Sequence, residues 1–228
     1  MNLVGYVPAR SGSKRLKNKN FRNFYKDISM AEIALLKSKQ NKKIIFTLLD
    51  TDNDIFLEKM KSKKLTDYFR KREKKFAKDS SSTKESLIDC IQKAEKDLNF
   101  EIDSIAILQP TSPLLSSNSI ELIIEKFQRS KVDLIASFTY LPFNINDCVA
   151  IDKNTINKIT LDHSNSDKFL FETGGIYIIK KSRLFNRSNP FCIDSLNNIY
   201  KIPLTEFIDV DYEDQFELAQ NIFRNLEK

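Results

Sequence analysis

Leu3-Val-Gly-Tyr-Val7 runs straight into Pro8-Ala-Arg-Ser-Gly-Ser-Lys-Arg-Leu-Lys-Asn-Lys-Asn20. The first five residues have the length and β-branched content of a buried strand, and the stretch that follows reads as a loop. Between Arg10 and Lys26 stand seven basic residues and no acid: Arg10, Lys14, Arg15, Lys17, Lys19, Arg22 and Lys26. Ser11-Gly-Ser13 adds small residues whose backbone amides can converge on an anion. A strand that empties into such a loop suits a polyphosphate. The loop has neither the Gly-Lys-Ser/Thr ending of a P-loop nor the three glycines of a dinucleotide fingerprint, since Gly12 stands alone. Read by residue chemistry alone, a solvated basic loop is the alternative.

The rest of the chain repeats the strand-then-helix order. Lys43–Leu49, Ser104–Leu108, Asp133–Phe138, Gly175–Ile179 and Tyr200–Leu204 read as strands. Ile28–Ser38, a segment from Ile55 capped by Asp54, Thr83–Asp97, Ser119–Phe127 and Asp211–Asn225 read as helices. This alternation predicts an α/β fold, a Rossmann-like, mostly parallel sheet with helices on both faces. Ligands of such sheets sit beyond the carboxyl ends of the strands. From Tyr140 to Phe171 the pattern weakens, with β-like pieces at Val149–Ile151 and Ile156–Thr160. We read it as an excursion within one domain spanning residues 1–228.

Composition narrows the partners. At 41% hydrophobic and 30% charged residues the chain has the balance of an ordinary globular protein. No apolar run approaches a membrane span, and the N-terminus enters strand-like sequence directly, so the expected compartment is the cytoplasm. Cys90, Cys148 and Cys192 lack the spacing of a zinc site or a disulfide framework and are expected to be buried thiols. The net charge of +6 is clustered, because residues 58–78 carry ten basic residues against Glu58, Asp67 and Glu73. A polyanionic partner follows, either a nucleotide or a nucleic acid. No helix-turn-helix, zinc finger or RNA-binding aromatic motif is present, which favours the nucleotide over a nucleic-acid-binding module.

Three further motifs fall at or near the ends of predicted strands. Leu108-Gln-Pro-Thr-Ser-Pro-Leu114 is a proline-stiffened turn that fixes Gln109, Thr111 and Ser112, as a polyhydroxylated substrate requires. Glu172-Thr-Gly-Gly-Ile-Tyr177 brings Thr173 and Tyr177 to a strand end. Ile208-Asp-Val-Asp211 sets Asp209 and Asp211 two apart on an extended segment, so that both carboxylates face one side. That is a hard-oxygen pair suited to Mg²⁺. The alternative, in which Asp211 caps the last helix, is compatible with a metal role for Asp209 alone. His163, the one histidine, lies in the excursion and is expected at the surface, which argues against histidine acid–base chemistry.

Taken together, Pro8–Asn20, Arg72–Thr83, Leu108–Leu114 and Ile208–Asp211 resemble, in order, the motifs of the cytidylyltransferases that activate nine-carbon sialic-type acids, the CMP-N-acetylneuraminate synthetase family. The resemblance implies a nucleotide-diphospho-sugar transferase-like fold and transfer of CMP from CTP to a nonulosonic acid. It implies Arg10, Lys14, Lys19, Asp209 and Asp211 as the catalytic set, with Asp209 and Asp211 on Mg²⁺. Ala9, Arg10, Ser13, Lys14 and Asn20 would bind the nucleotide from the first loop. Arg72, Ser81 and Thr83 would meet the cytosine base. Gln109, Thr111, Ser112, Thr173 and Tyr177 would hold the sugar. The family is typically dimeric, so the excursion at residues 140–171 is expected at a homodimer interface. Arg15 stands where the family has Gly, Glu73 where it has Pro, Thr173 where it has Asn and Asn144 where it has Lys. These departures leave N-acetylneuraminic, pseudaminic and legionaminic acids all open as acceptors.

Overall fold

A computed structural model describes residues 1–76, 82–152, 155–158 and 169–226. The chain begins with β1 (Leu3–Ala9), a small hairpin of β2 (Asn23–Tyr25) and β3 (Ile28–Ser29), and α1 (Met30–Gln40). Next come β4 (Phe46–Thr51), α2 (Asp54–Ser62), β5 (Tyr68–Lys71), α3 (Thr83–Leu98), β6 (Ser104–Leu108), α4 (Ser117–Arg129) and β7 (Leu134–Tyr140). The hairpin β8 (Val149–Asp152) and β9 (Thr155–Lys158) precedes the long β10 (Leu170–Lys180), α5 (Lys181–Asn186), β11 (Ile199–Lys201) and α6 (Glu213–Leu226).

Seven strands form one sheet in the order β11-β7-β10-β6-β1-β4-β5. The pairs β1–β4, β1–β6, β4–β5 and β7–β11 are parallel, and β10 runs antiparallel to both of its neighbours. The expected α/β architecture with a mostly parallel sheet is therefore observed. Its cause is visible in β1. Leu3, Val7 and Ala9 pack on one face with α1, α2 and α4, whereas Val4 and Tyr6 pack on the other with α3 and α5. A strand buried on both faces needs a near-continuous apolar run, and Leu3–Val7 is one. Gly5 serves a close approach, since a Cβ there would lie 2.0 Å from the Ser38 Oγ of α1.

Side chains move several element ends from their predicted places. Helix α1 starts at Met30 because Ile28 and Ser29 pair with β2 and because Ser29 and Glu32 form a reciprocal capping box. Asn53, not Asp54, caps α2, accepting from the Phe56 amide. Helix α6 starts at Glu213, because Gln215 Oε1 accepts from the amides of both Asp211 and Tyr212. Strand β5 has no counterpart in the sequence reading, as Arg70 and Lys71 place it within a run of basic residues. Cys90 is buried, but Cys148 is half-buried and Cys192 exposed, so only one of the three thiols matches the expectation. His163 and part of the excursion lie outside the described residues.

A third apolar cluster sets the site. Leu16 of the basic loop, Phe24, Leu114, Ile208 and Val210 pack with Phe216, Ala219 and Phe223 of α6. The two ends of the chain and the proline-stiffened turn thereby share one support.

Candidate functional site

The parallel order runs outward in opposite directions from β1, and at that switch point a cleft of about 570 Å³ opens above the carboxyl ends of β1, β4, β5 and β6. It brings together Arg10, Ser13, Lys14, Lys19 and Asn20 from the first loop, Arg72 and Thr83 from either side of a short connection, Gln109 and Thr111, and Asp209 and Asp211. Among the predicted residues, Ala9 is fully buried at the end of β1 behind this lining. Ser81 lies outside the described residues.

At the open end, the basic loop is pinned to the last segment of the chain. Lys19 Nζ donates to the Val210 carbonyl at 3.1 Å and to Asp211 Oδ1 at 2.5 Å, and Arg15 meets Asp211 Oδ2 at 2.6 Å. Arg22 forms a two-pronged pair with Glu213, both contacts at 2.7 Å. Asn20 Nδ2 donates to the Arg10 carbonyl, and the Ser11 amide donates to Asp52 Oδ1 at 2.7 Å. The buried Asn20 Oδ1 accepts from no donor among the described residues, which leaves an acceptor beside the cleft. Asp211 thus faces the cations of the cleft instead of capping α6.

The proline-stiffened turn is held from three sides. Val210 N–H donates to the Thr111 carbonyl, Gln109 N–H donates to the Gly175 carbonyl, and Lys37 Nζ of α1 donates to the carbonyls of Pro113 and Leu115 at 2.6 and 2.7 Å. The Thr111 hydroxyl lies near enough to Asp209 to favour its charged form. Partial burial pushes the Asp209 carboxyl up from the ordinary aspartate range, the negative Asp211 adds to the shift, and Thr111, Lys19 and Arg15 oppose it. Two carboxylates and a hydroxyl at the mouth of a basic cleft match what Mg²⁺ accepts when it keeps water and takes phosphate oxygens as its other ligands. No set of three or more His, Cys, Asp or Glu converges as a closed metal cage among the described residues.

The closed end is built on Asp50, fully buried on β4 and in register with Pro8 of β1 and Arg70 of β5. Asp50 Oδ2 accepts from Tyr6 Oη at 2.5 Å, Ser86 Oγ at 3.0 Å, and Arg72 Nε and Nη2 at 3.1 and 2.7 Å; Oδ1 accepts from Arg70 Nη1 at 2.8 Å. Arg70 also pairs with Asp89 and lies over the Phe76 ring at 4.9 Å. Tyr6, Arg72, Phe76 and Ser86 all line the cleft. Burial first, and then Asp50, push the Tyr6 hydroxyl well above its ordinary pKa, which keeps it a donor.

The sugar-side candidates separate. Gln109 and Thr111 line the cleft, while Ser112 faces a small hollow against Gly175. Thr173 and Tyr177 do not enter the lining. Gly174, with φ of +68°, lies in an irregular stretch of β10, and the Thr173 hydroxyl there bonds the Ser137 hydroxyl at 2.6 Å and the Ser137 carbonyl at 3.0 Å. Tyr177 packs on Phe191 and donates to Glu172 at 2.7 Å. Sequence reading missed Asp50, Tyr6, Arg70 and Ser86. Tyr6 could have been found from the period of β1, which sends every second residue to one face. Asp50 and Arg70 carry no such local signal.

Comparison with known proteins bears on this geometry. A family model described as Cytidylyltransferase matches residues 4–220. The chain is 24% identical over 225 residues to post-translational flagellin modification protein B of Campylobacter coli, covering 96% of this chain and 93% of that protein. It is 29% identical over 229 residues to an Escherichia coli N-acylneuraminate cytidylyltransferase, covering 96% of this chain and 52% of that one, so it spans about half of the latter's length. In fold it is similar to CMP:2-keto-3-deoxy-manno-octonic acid synthetase solved with CTP, with a TM-score of 0.71, 14% identity, and 99% and 100% of the two chains covered. A 4-diphosphocytidyl-2C-methyl-D-erythritol synthase gives a TM-score of 0.67 at 11% identity over 97% and 99%.

Proposed function

Because the chain belongs to the cytidylyltransferase family, we propose that it transfers CMP from CTP to the anomeric hydroxyl of a nonulosonic, sialic-type acid, releasing pyrophosphate and making an activated sugar for surface-glycan synthesis. At the coarser level it is a nucleotidyltransferase that uses CTP and a sugar-like acceptor. The observation that carries the finer reading is the polarity of the cleft: a buried end walled by Arg72 and Phe76, a basic loop in the middle, and Gln109, Thr111 and two carboxylates at the mouth. One relative is, by its name, a protein of post-translational flagellin modification.

In this reading the acceptor oxygen attacks the α-phosphorus in line as the bond to the β-phosphate breaks. Negative charge grows on the departing pyrophosphate, where Arg10, Lys14 and Lys19 stabilise it in place. Asn20 meets the nucleoside, and Gln109 and Thr111 orient the acceptor. Asp209 and Asp211 would hold Mg²⁺, which when bound screens the phosphate charge. A work site in the cytoplasm fits the CTP supply, and no helix among the described residues is long and apolar enough to cross a membrane. A homodimer fits the exposed Tyr140, Phe143, Val149 and Phe171 around the excursion. Sedimentation giving a monomer at micromolar concentration would count against it.

The second basic cluster offers the nucleic-acid alternative less than its charge suggests, because Arg70 and Arg72 are buried on Asp50. The deciding experiment is pyrophosphate release from CTP with N-acetylneuraminic, legionaminic, pseudaminic and Kdo acids, with and without Mg²⁺. Metal-dependent release with one nine-carbon acid is the expected result. Tight CTP binding with no release from any acid would overturn the acceptor class, and no CTP binding would overturn the reading.

A further inference from the structure

We propose that Asp50 is the positioning residue that aims the Arg72 guanidinium at the nucleotide base and thereby sets a preference for cytosine over uracil. The inference rests on the reading of the cleft as a CTP site. Asp50 touches no part of the cleft itself, being fully buried, and acts through Arg72, Tyr6 and Ser86, which do. Arg72 gives Nε and Nη2 to a single carboxylate oxygen, which fixes the plane of the guanidinium and the direction of its remaining edge. Tyr6 Oη, 3.5 Å from Arg72 Nη2, and Ser86 Oγ hold that same oxygen, so the carboxylate cannot swing.

A buried ion pair is a poor device for stability, since apolar residues of similar volume serve as well. What it supplies on the wall of a cleft is a fixed direction. Cytosine presents two adjacent acceptors, O2 and N3, to an N–H donor. Uracil replaces the second with an N–H, which an aimed guanidinium opposes. Arg70 completes the device: it neutralises Asp50 from the far side and bears on Phe76, the aromatic wall of the same end of the cleft.

The test compares calorimetric affinities for CTP and UTP, without acceptor, in the wild type, Asp50→Asn, Asp50→Asn with Arg70→Met, and Asp50→Glu, each with its thermal melt. The double variant removes one buried charge of each sign and is expected to melt nearer the wild type than the single variant. In all three variants the preference for CTP should fall ~10- to 100-fold, the scale of one well-aimed bidentate contact to a base. In turnover assays KM for CTP should rise while kcat at saturating CTP changes little. Asp50→Glu keeps the charge and displaces the anchor by one methylene, so it decides the matter if the other two do not fold. A folded variant with the wild-type CTP preference would overturn the role of Asp50, as would a wild type that binds both nucleotides equally. A wild type that binds neither would overturn the CTP reading beneath it.

Discussion

Arg15 and Lys19 meet Asp211 at one end of the cleft, and Arg70 and Arg72 meet Asp50 at the other. The groups are alike, but their surroundings are opposite: the Arg15 side chain is 56% exposed, whereas that of Arg70 is 2% exposed and Asp50 not at all. At the mouth, water screens the Arg15 contact, and this cation can leave Asp211 for a phosphate at small cost, whereas Lys19 is only 14% exposed and is held more firmly. On the buried side, removing either partner strands a charge away from water. The same ion pair is thus an exchangeable holder in one place and a fixed strut in the other.

The sharpest break in this comparison is Asp50→Ala, which is expected to destabilise the fold by about 3–5 kcal/mol, as loss of one partner of a buried pair does. Urea denaturation measures it, and a change below about 1 kcal/mol would show that the strut bears no weight. Next, Asp211→Ala should cost at least ~100-fold in turnover while leaving the urea midpoint close to the wild type. Near-normal turnover at ordinary Mg²⁺ would remove Asp211 from the metal role. Lys37→Met, which frees two carbonyls of the proline-stiffened turn, is expected to weaken stability by about 1.5–3 kcal/mol and to raise KM for the acceptor more than for CTP. Arg22→Ala at the open end should lose no more than about 1 kcal/mol, and less in high salt.

Glu32 offers a smaller, pH-dependent test. It is buried on α1, yet salt bridges from Lys63 and Lys59 and the Ser29 amide overcome its desolvation and hold its pKa below the ordinary glutamate value of 4.5. A carboxyl depressed in the folded state stabilises the protein above its unfolded pKa and loses that contribution as pH falls through the folded value. Glu32→Gln should therefore flatten the acid limb of the stability curve below about pH 4.5. An unchanged limb would mean that the two lysines contribute nothing net.

How much of this was legible in the sequence follows from burial. Strands apolar on both faces, such as Leu3–Val7 and Ser104–Leu108, announce themselves, and the polar residues that follow them fall at the cleft. Strand β5 did not. Tyr68-Phe-Arg-Lys71 belongs to a run of lysines and arginines that suggests a solvated surface, and only the register with β4 turns Arg70 inward onto Asp50. Asp50 reads as the start of an acidic turn because its partners lie 20 and 22 residues later and 44 residues earlier. The resemblance placed Arg72 at the base, yet no local pattern could tell that its guanidinium is anchored from behind. Thr173 was legible as lying at a strand end, but the irregularity at Gly174 was not, and it accompanies a hydroxyl engaged with Ser137.

The tie between Lys19 and Asp211 spans 192 residues of chain. At a synthesis rate of 5–20 residues per second, the basic loop leaves the ribosome roughly 10–40 s before the carboxylate that will hold it. During that interval the contacts of Lys19 and Arg15 with Asp211 cannot form. The site can therefore be completed only once the segment carrying Asp211 has been made.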